Sequence, residues 1–564
     1  MELDPKTMRT TKPGLKPLIL TLIVPFSFIL CFPLLWKSVE IYRSPLPFRG
    51  IEAFSSQLDS EPLHFRCQFQ AMFLGFNFTA SNDVAEAIIN KMSLLNPNSL
   101  QCGNCGAYEV SVVIDSGSSC VRTQNSKAQC PFKCGEEVAF FGGKLSDEDV
   151  DDLLRGCLGN VDGGGNVYSV VVVNGGDKEA EVRAVVGKYR HAWILGRVLE
   201  EEALSRVAEI FAKVFMNGRS EGDLIRAEFM PVGADGRIVL SFSLLNAEPR
   251  DWIYDWNFRE IDETLLQPVI QSLQPIANIT VESQVLYHTQ MSSFSYWDEV
   301  NSNEWHLDTS VAAGGRSKLL QLVVYIPSAK ECPLRLELPN GDLSNTNGFI
   351  SPMWGGVVVW NPQSCKKDLE SKDSVKHMIS TQDIQKLFGI LMGQLRQLLG
   401  LKSDNLYVDQ SGTYVLQGSE KGFTQWELDI LSRNHVCFNL YSCAATLGSL
   451  SRLVQSLPRM IITDEIGKKV MISLEAAKFA QSNASAGIYD ASAASSRQAR
   501  SLAEDSFFHP SIMSISYYSY WHSFIIYTPY FLLVMKPVIF PVLSEWKRYK
   551  QENMKFVAWK AKAK

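Results

Sequence analysis

Histidine is scarce in this chain, with eight among 564 residues. His64, His191, His288, His306, His377, His435, His509 and His522 are scattered, and none forms H-E-x-x-H or another metal-binding spacing. A G-x-S-x-G serine elbow is also absent. Gly163-Gly164-Gly165 lacks the lysine and the helix that a phosphate-cradling loop needs, so it reads as a flexible turn. Cys102 and Cys105 make one C-x2-C pair, but a second pair and a nearby histidine are missing, so zinc would lack its four ligands. Paired carboxylates occur, as at Glu200-Glu201-Glu202 or Asp147 and Asp149, and on helix faces they read as solvated charge. No catalytic, metal-ligating or cofactor-binding residue is nominated; a Cys/His pair assembled only in space stays open as an alternative.

Positive charge is not in excess either: the formal net charge is −6. Cations gather at the ends, with Lys6, Arg9, Lys12 and Lys16 near the start. Lys547, Arg548, Lys550, Lys555, Lys560, Lys562 and Lys564 follow near the finish, against Glu545 and Glu552. The middle is therefore more acidic than the whole, which argues against nucleic acid as its partner. Long apolar runs number only two, and an apolar content of 46% is ordinary for a globular protein, which excludes a polytopic channel.

Those two runs set the layout. Residues 523–543 carry one formal charge, Lys536, and are about long enough for a helix to cross ~30 Å of hydrocarbon. A buried core helix could be as apolar, but the basic tail beyond it favours a membrane span. A C-terminal lipid-attachment signal would end the chain on its apolar run, which this one does not. Residues 17–36 form the other, charge-free run; its length and the bulky Leu34, Leu35 and Trp36 at its end favour an uncleaved anchor over a signal peptide. Cations outside both spans predict cytosolic termini and a translocated middle. Prolines 25, 33, 529, 537 and 541 fall inside the spans, where the carbonyls they free need partners. Lys536 either snorkels to the interface or meets a neighbouring span.

In the translocated part, three N-glycosylation motifs begin at Asn77, Asn278 and Asn483. Cys102, Cys105, Cys120, Cys130 and Cys134 predict a disulfide-stapled loop whose pairing the sequence leaves open. Strands are expected at 108–115, 167–173, 237–245, 279–288, 319–326 and 356–360, and helices at 84–95, 197–215 and 258–274. This alternation predicts an α/β fold, a mixed sheet with flanking helices. From Thr381 the pattern turns helical: 383–401, then a helix opened by the capping box Thr424-Gln-Trp-Glu427 and running to Leu457, then an Ala/Ser-rich helical region over 465–504. The stripe Leu440, Ala444, Leu447, Leu450 and Val454 reads as an internal helix face or as a partner-binding one. The expected organisation is a cytosolic tail (1–16), a transmembrane helix (17–36), a lumenal α/β domain (37–380), a C-terminal long-helix region, also lumenal (381–522), a second transmembrane helix (523–543) and a basic cytosolic tail (544–564).

Several stretches carry a resemblance. Asn278-Ile-Thr-Val-Glu-Ser-Gln-Val-Leu-Tyr287, Ser351-Pro-Met-Trp-Gly-Gly-Val357 after Asn347-Gly-Phe, Tyr42-Arg-Ser-Pro-Leu-Pro47, Trp426-Glu-Leu-Asp429 and Phe507-Phe-His-Pro-Ser511 are similar, in the same order, to segments of the PIG-S family, the S subunit of the GPI transamidase. The cysteine cluster and Lys536 show no such match. The resemblance implies a subunit in the endoplasmic reticulum membrane that supports assembly with the K, T, U and Gaa-type subunits. The catalytic cysteine then lies on the K subunit, and here there is no cofactor. The alternative is a double-anchored lumenal Cys/His hydrolase. A cell-surface receptor is disfavoured, because tails this short hold no signalling domain. Asn278 lies in a matching segment, which makes it the leading glycosylation candidate. Ser351, Pro352, Trp354, Gly355 and Gly356 read as a structural turn, glycines permitting close approach and the tryptophan a large buried contact.

Overall fold

The computed structural model describes residues 9–39, 43–61, 63–95, 103–115, 146–158, 166–174, 182–218, 229–289, 316–337, 341, 343–366, 376–401, 414–419, 421–457, 460–513 and 520–563. The Gly163–Gly165 run and Cys102, Cys120, Cys130 and Cys134 lie outside these residues. The chain divides into two compact units, one of residues 1–46, 451–468 and 508–564, the other of residues 47–450 and 469–507.

Among the described residues the larger unit holds thirteen strands, β1 Arg66–Leu74, β2 Ala107–Asp115, β3 Val167–Asn174, β4 Arg183–Val186, β5 His191–Gly196, β6 Arg237–Asn246, β7 Ile253–Asp255, β8 Asn278–Tyr287, β9 Lys318–Ile326, β10 Gly348–Ser351, β11 Gly355–Val359, β12 Lys376–Met378 and β13 Val415–Leu416. They form a six-stranded sheet in the order β13-β4-β5-β3-β1-β2, a five-stranded sheet β10-β11-β9-β6-β8 and a β12-β7 pair. Each large sheet is parallel except for one antiparallel pair, β4 with β5 and β10 with β11. Parallel neighbours need long crossovers, and helices supply them. Val170, Val171 and Val172 of β3 are all buried, as expected for a strand covered on both faces. Trp193 of β5, 1% exposed, packs with Met72, Leu74, Leu154 and Val185. Burying a side chain of ~200 Å² is worth roughly 5 kcal/mol of gross transfer free energy.

The strands expected from the sequence are found with ends shifted by a residue or so. The expected 197–215 helix starts at Glu200 and winds as a π-helix from Ile210 to Met216. The expected helical region over 465–504 holds two helices, Asp464–Ala486 and Tyr489–Phe507, separated at Gly487, whose φ of 77° no helix accepts. The helical region is not laid apart from the sheets. Phe388 of the Thr381–Leu398 helix stacks on Phe242 of β6, with centroids 5.5 Å apart. Gln394 donates to the backbone of Phe349 and Val357.

The smaller unit contains the Lys16–Val39 helix and the 43-residue Tyr520–Lys562 helix, which pack on each other. Arg9 forms an ion pair with Glu552. Large apolar side chains on both helices stand exposed, among them Leu20, Ile29, Leu30, Ile525, Leu533 and Phe540. Among the described residues no helix is long and apolar enough to cross a membrane. Side chains 28, 31, 32 and 34–36 of the first expected span, and 523, 524, 527, 531 and 534 of the second, are outside the described set. Past the first helix, the Ser44 N–H donates to the Ile462 carbonyl at 2.9 Å and Arg43 Nη2 to the Val454 carbonyl at 2.7 Å.

Candidate functional site

The polar groups that chemistry would draw on converge on the Gln425–Ser456 helix. Its first turn is the capping box read from the sequence. The Glu427 N–H donates to Thr424 Oγ1 at 3.4 Å, and Glu427 Oε2 accepts from the Thr424 N–H at 2.8 Å. Glu427 is also ion-paired with Arg396, whose Nη1 donates to the Gly422 carbonyl at 2.7 Å. Trp426 Nε1 donates to the Gly187 carbonyl, tying this turn to the β4–β5 connection.

One turn on, Asp429 is wholly buried. It accepts from Arg190 Nε at 2.6 Å and Nη2 at 2.9 Å, from Tyr168 Oη at 3.0 Å and from Asn166 Nδ2 at 3.3 Å. A buried carboxylate needs this many donors to offset its lost hydration. Burial, then the neighbouring Asp429 charge, pushes the Tyr168 hydroxyl well above its ordinary range.

Another turn on, Arg433 is also fully buried. Its Nη1 lies 3.0 Å from Cys67 Sγ and 2.8 Å from Cys105 Sγ. Its Nη2 donates to the carbonyls of Phe215 and Met216, the negative C-terminal end of the π-helical stretch. The Tyr489 ring lies 5.5 Å from the guanidinium carbon. Cys67 and Cys105 are disulfide-bonded.

Further along, His435 is buried with neither ring nitrogen partnered. Burial and then the nearby Arg500 charge lower its pKa to about 3, so it stays neutral. Cys443 is a free thiol, buried beside Ser473 Oγ at 3.4 Å, and burial pushes its pKa up to about 11. Elsewhere, His191 Nε2 lies 2.6 Å from Asp151 Oδ1, both side chains buried, under the Tyr189 and Trp193 rings. No group of three or more metal-binding side chains occurs among the described residues. The arrangement fastens helix to sheet; a thiol held neutral at pH 7 and shut from solvent is a poor nucleophile.

The residues singled out in the sequence are not brought together. Asn77 is exposed just after β1, and Asn278 is exposed at the start of β8. Asn483 sits inside the Asp464–Ala486 helix with its Nδ2 buried and unpartnered. Cys105 is bonded to Cys67, which lies outside the sequence cluster, and a second disulfide joins Cys332 to Cys365. Pro352, Met353 and Trp354 turn the chain between β10 and β11. Gly355 there has φ 152°, and a Cβ on it would stand 1.8 Å from the Gln321 carbonyl oxygen. A Cβ on Gly356 would stand 2.2 Å from Gln394 Oε1. Both positions thus require glycine for close approach. Trp354 packs against the cluster around Leu245, Val323 and Val357. The roles of Asp429 and Arg433 were missed; a buried Asp and Arg one turn apart on an otherwise apolar helix face is the signal that could have found them.

The features so far define a class: an α/β protein with an apolar helix toward each end of its chain and a long helix whose buried Asp429 and Arg433 fasten it to the sheet. The chain belongs to the PIG-S family, described as Phosphatidylinositol-glycan biosynthesis class S protein, whose model matches residues 22–552. It is 25% identical over 546 residues to the GPI-anchor transamidase component PIGS of Homo sapiens, covering 92% of each chain. It is 24% identical over 577 residues to the component of the same name from Mus musculus, covering 95% of this chain and 94% of that one. The GPI transamidase component PIG-S homolog of Schizosaccharomyces pombe is 24% identical over 329 residues, 56% of this chain and 54% of the other.

Proposed function

We propose that this chain is a component of the GPI transamidase, supporting assembly of the complex that attaches GPI anchors to precursor proteins. One observation carries the reading: relatives named as that component align over nine-tenths of both chains. The role is non-catalytic, with K, T, U and Gaa-type subunits as partners. The burial of Cys443, with its thiol pushed up to about 11, speaks against the Cys/His hydrolase alternative acting through that residue. The complex sits in the endoplasmic reticulum membrane, with this chain crossing twice, both termini cytosolic and the α/β body lumenal. The Arg9–Glu552 ion pair supports that topology, since it puts the outer flanks of the two apolar helices on one side. Exposed apolar side chains along both helices are stable against lipid and costly against water.

Affinity isolation in mild detergent tests the reading. Other transamidase subunits should co-purify, and deletion of the chain should abolish GPI attachment to precursors. Recovery alone, with normal GPI display in its absence, overturns it. Protease added outside sealed microsomes should spare the α/β body and trim only the termini.

A further inference from the structure

β8 ends the five-stranded sheet on one side, and its outer edge has no partner among the described residues. The Asn278 N–H donates to the Gly236 carbonyl at 3.0 Å, which fixes the alternation along the strand. Even-numbered residues from Asn278 to Leu286 turn their N–H and C=O groups toward β6, and odd-numbered ones from Ile279 to Tyr287 turn theirs outward. All ten residues are exposed or half-exposed. Proteins usually guard such an edge with charges, proline or shortness. Among the other edges, β10 has four residues and β13 two, while β2 carries Glu109 and Asp115. β8 is the longest, contains no proline and has one formal charge, Glu282. An unguarded row of backbone donors and acceptors, roughly 33 Å long, has one good complement, which is another backbone.

We propose that, in the assembled complex, an extended segment of another subunit pairs along the outer edge of β8 and continues the five-stranded sheet. This inference rests on reading the chain as a component of a multi-subunit assembly. The guest strand alternates apolar and polar residues. Its apolar side chains lie beside half-buried Ile279, Val281 and Val285 on one face, and its polar ones beside Thr280, Glu282 and Gln284 on the other.

The test uses the full-length chain in cells lacking their own copy, with the complex isolated through a tag on another subunit. Ser283→Pro removes one outward N–H and leaves the ladder to β6 intact; Ser283→Lys instead places a guarding charge on the edge. Both should reach wild-type abundance and protease resistance; Ser283→Pro should be recovered with the complex roughly fivefold less, the effect of about one lost hydrogen bond, and Ser283→Lys should also be recovered less than wild type through its guarding charge. Gln284→Pro, which removes an inward N–H, should instead lower abundance. A photo-crosslinking amino acid at position 283 of the otherwise wild-type chain should form an adduct with another subunit. Should Ser283→Pro misfold, the lysine variant and the crosslink decide. Wild-type recovery of the lysine variant, or a crosslinker that meets only lipid, only solvent or a second copy of this chain, overturns the inference. A wild-type chain recovered with no partner fails the transamidase reading instead, so the two failures are distinguishable.

Discussion

Arg190 and Asp429 meet through two parallel contacts, Nε to Oδ2 at 2.6 Å and Nη2 to Oδ1 at 2.9 Å, joining the β4–β5 connection to a helix more than two hundred residues later. The Asp429 side chain is 1% exposed and that of Arg190 26%. Arg190→Met should therefore cost about 3 kcal/mol, because it strands a buried carboxylate. Arg190→Met combined with Asp429→Leu should cost less than the two single changes summed. Urea unfolding of the purified chain checks both.

Thr424→Ala removes the hydroxyl that caps the same helix and half of the reciprocal pair with Glu427. The expected loss is about 1–2 kcal/mol. A lower urea midpoint with an unchanged slope would show it.

His435 makes the α/β body acid-sensitive. Its pKa is near 3 when folded and near the ordinary 6.5 when unfolded, so below pH 6.5 the unfolded chain takes up a proton that the folded chain refuses. The contribution is complete above pH 6.5 and is lost as pH falls toward 3, by about 2 kcal/mol at pH 5. His435→Leu should flatten the dependence of the unfolding midpoint between pH 7 and pH 5.

Cys443 should resist alkylation in the folded chain. With a pKa near 11, roughly one thiol in a thousand is ionised at pH 8, and that one is buried. Mass spectrometry after iodoacetamide should find it unmodified in buffer and modified in urea.

Asn77 and Asn278 present their side chains at the surface, whereas the Asn483 amide nitrogen is enclosed by its own fold. Asn77→Gln and Asn278→Gln should each remove one glycan-sized step on gels. Asn483→Gln should shift nothing.

Much of the secondary structure is written in local patterns. Runs such as Val167–Val173 read as strand because β-branched residues fill a two-faced core, and the Thr424/Glu427 box marks a helix start from four residues alone. β1 escaped because Arg66, Gln68 and Gln70 break up its apolar run, although they lie on one face while Cys67, Phe69, Ala71 and Phe73 fill the other. β13 has two residues and exists only because β4 is there to pair with it. The buried column on the long helix was less legible still. Asp429 and Arg433 look like solvated helix charges until Arg190, Cys67 and Cys105 arrive from far along the chain. No local period encodes a partner hundreds of residues away.

The Arg433 contacts span 366 residues to Cys67 and 328 to Cys105. On a ribosome feeding the chain out from its beginning, the opening strands emerge long before the guanidinium that completes their setting. For most of synthesis the nascent body carries an unfinished seam until the late helix slots home. Truncations anywhere ahead of residue 433 should accordingly produce material destined for degradation rather than a smaller working piece.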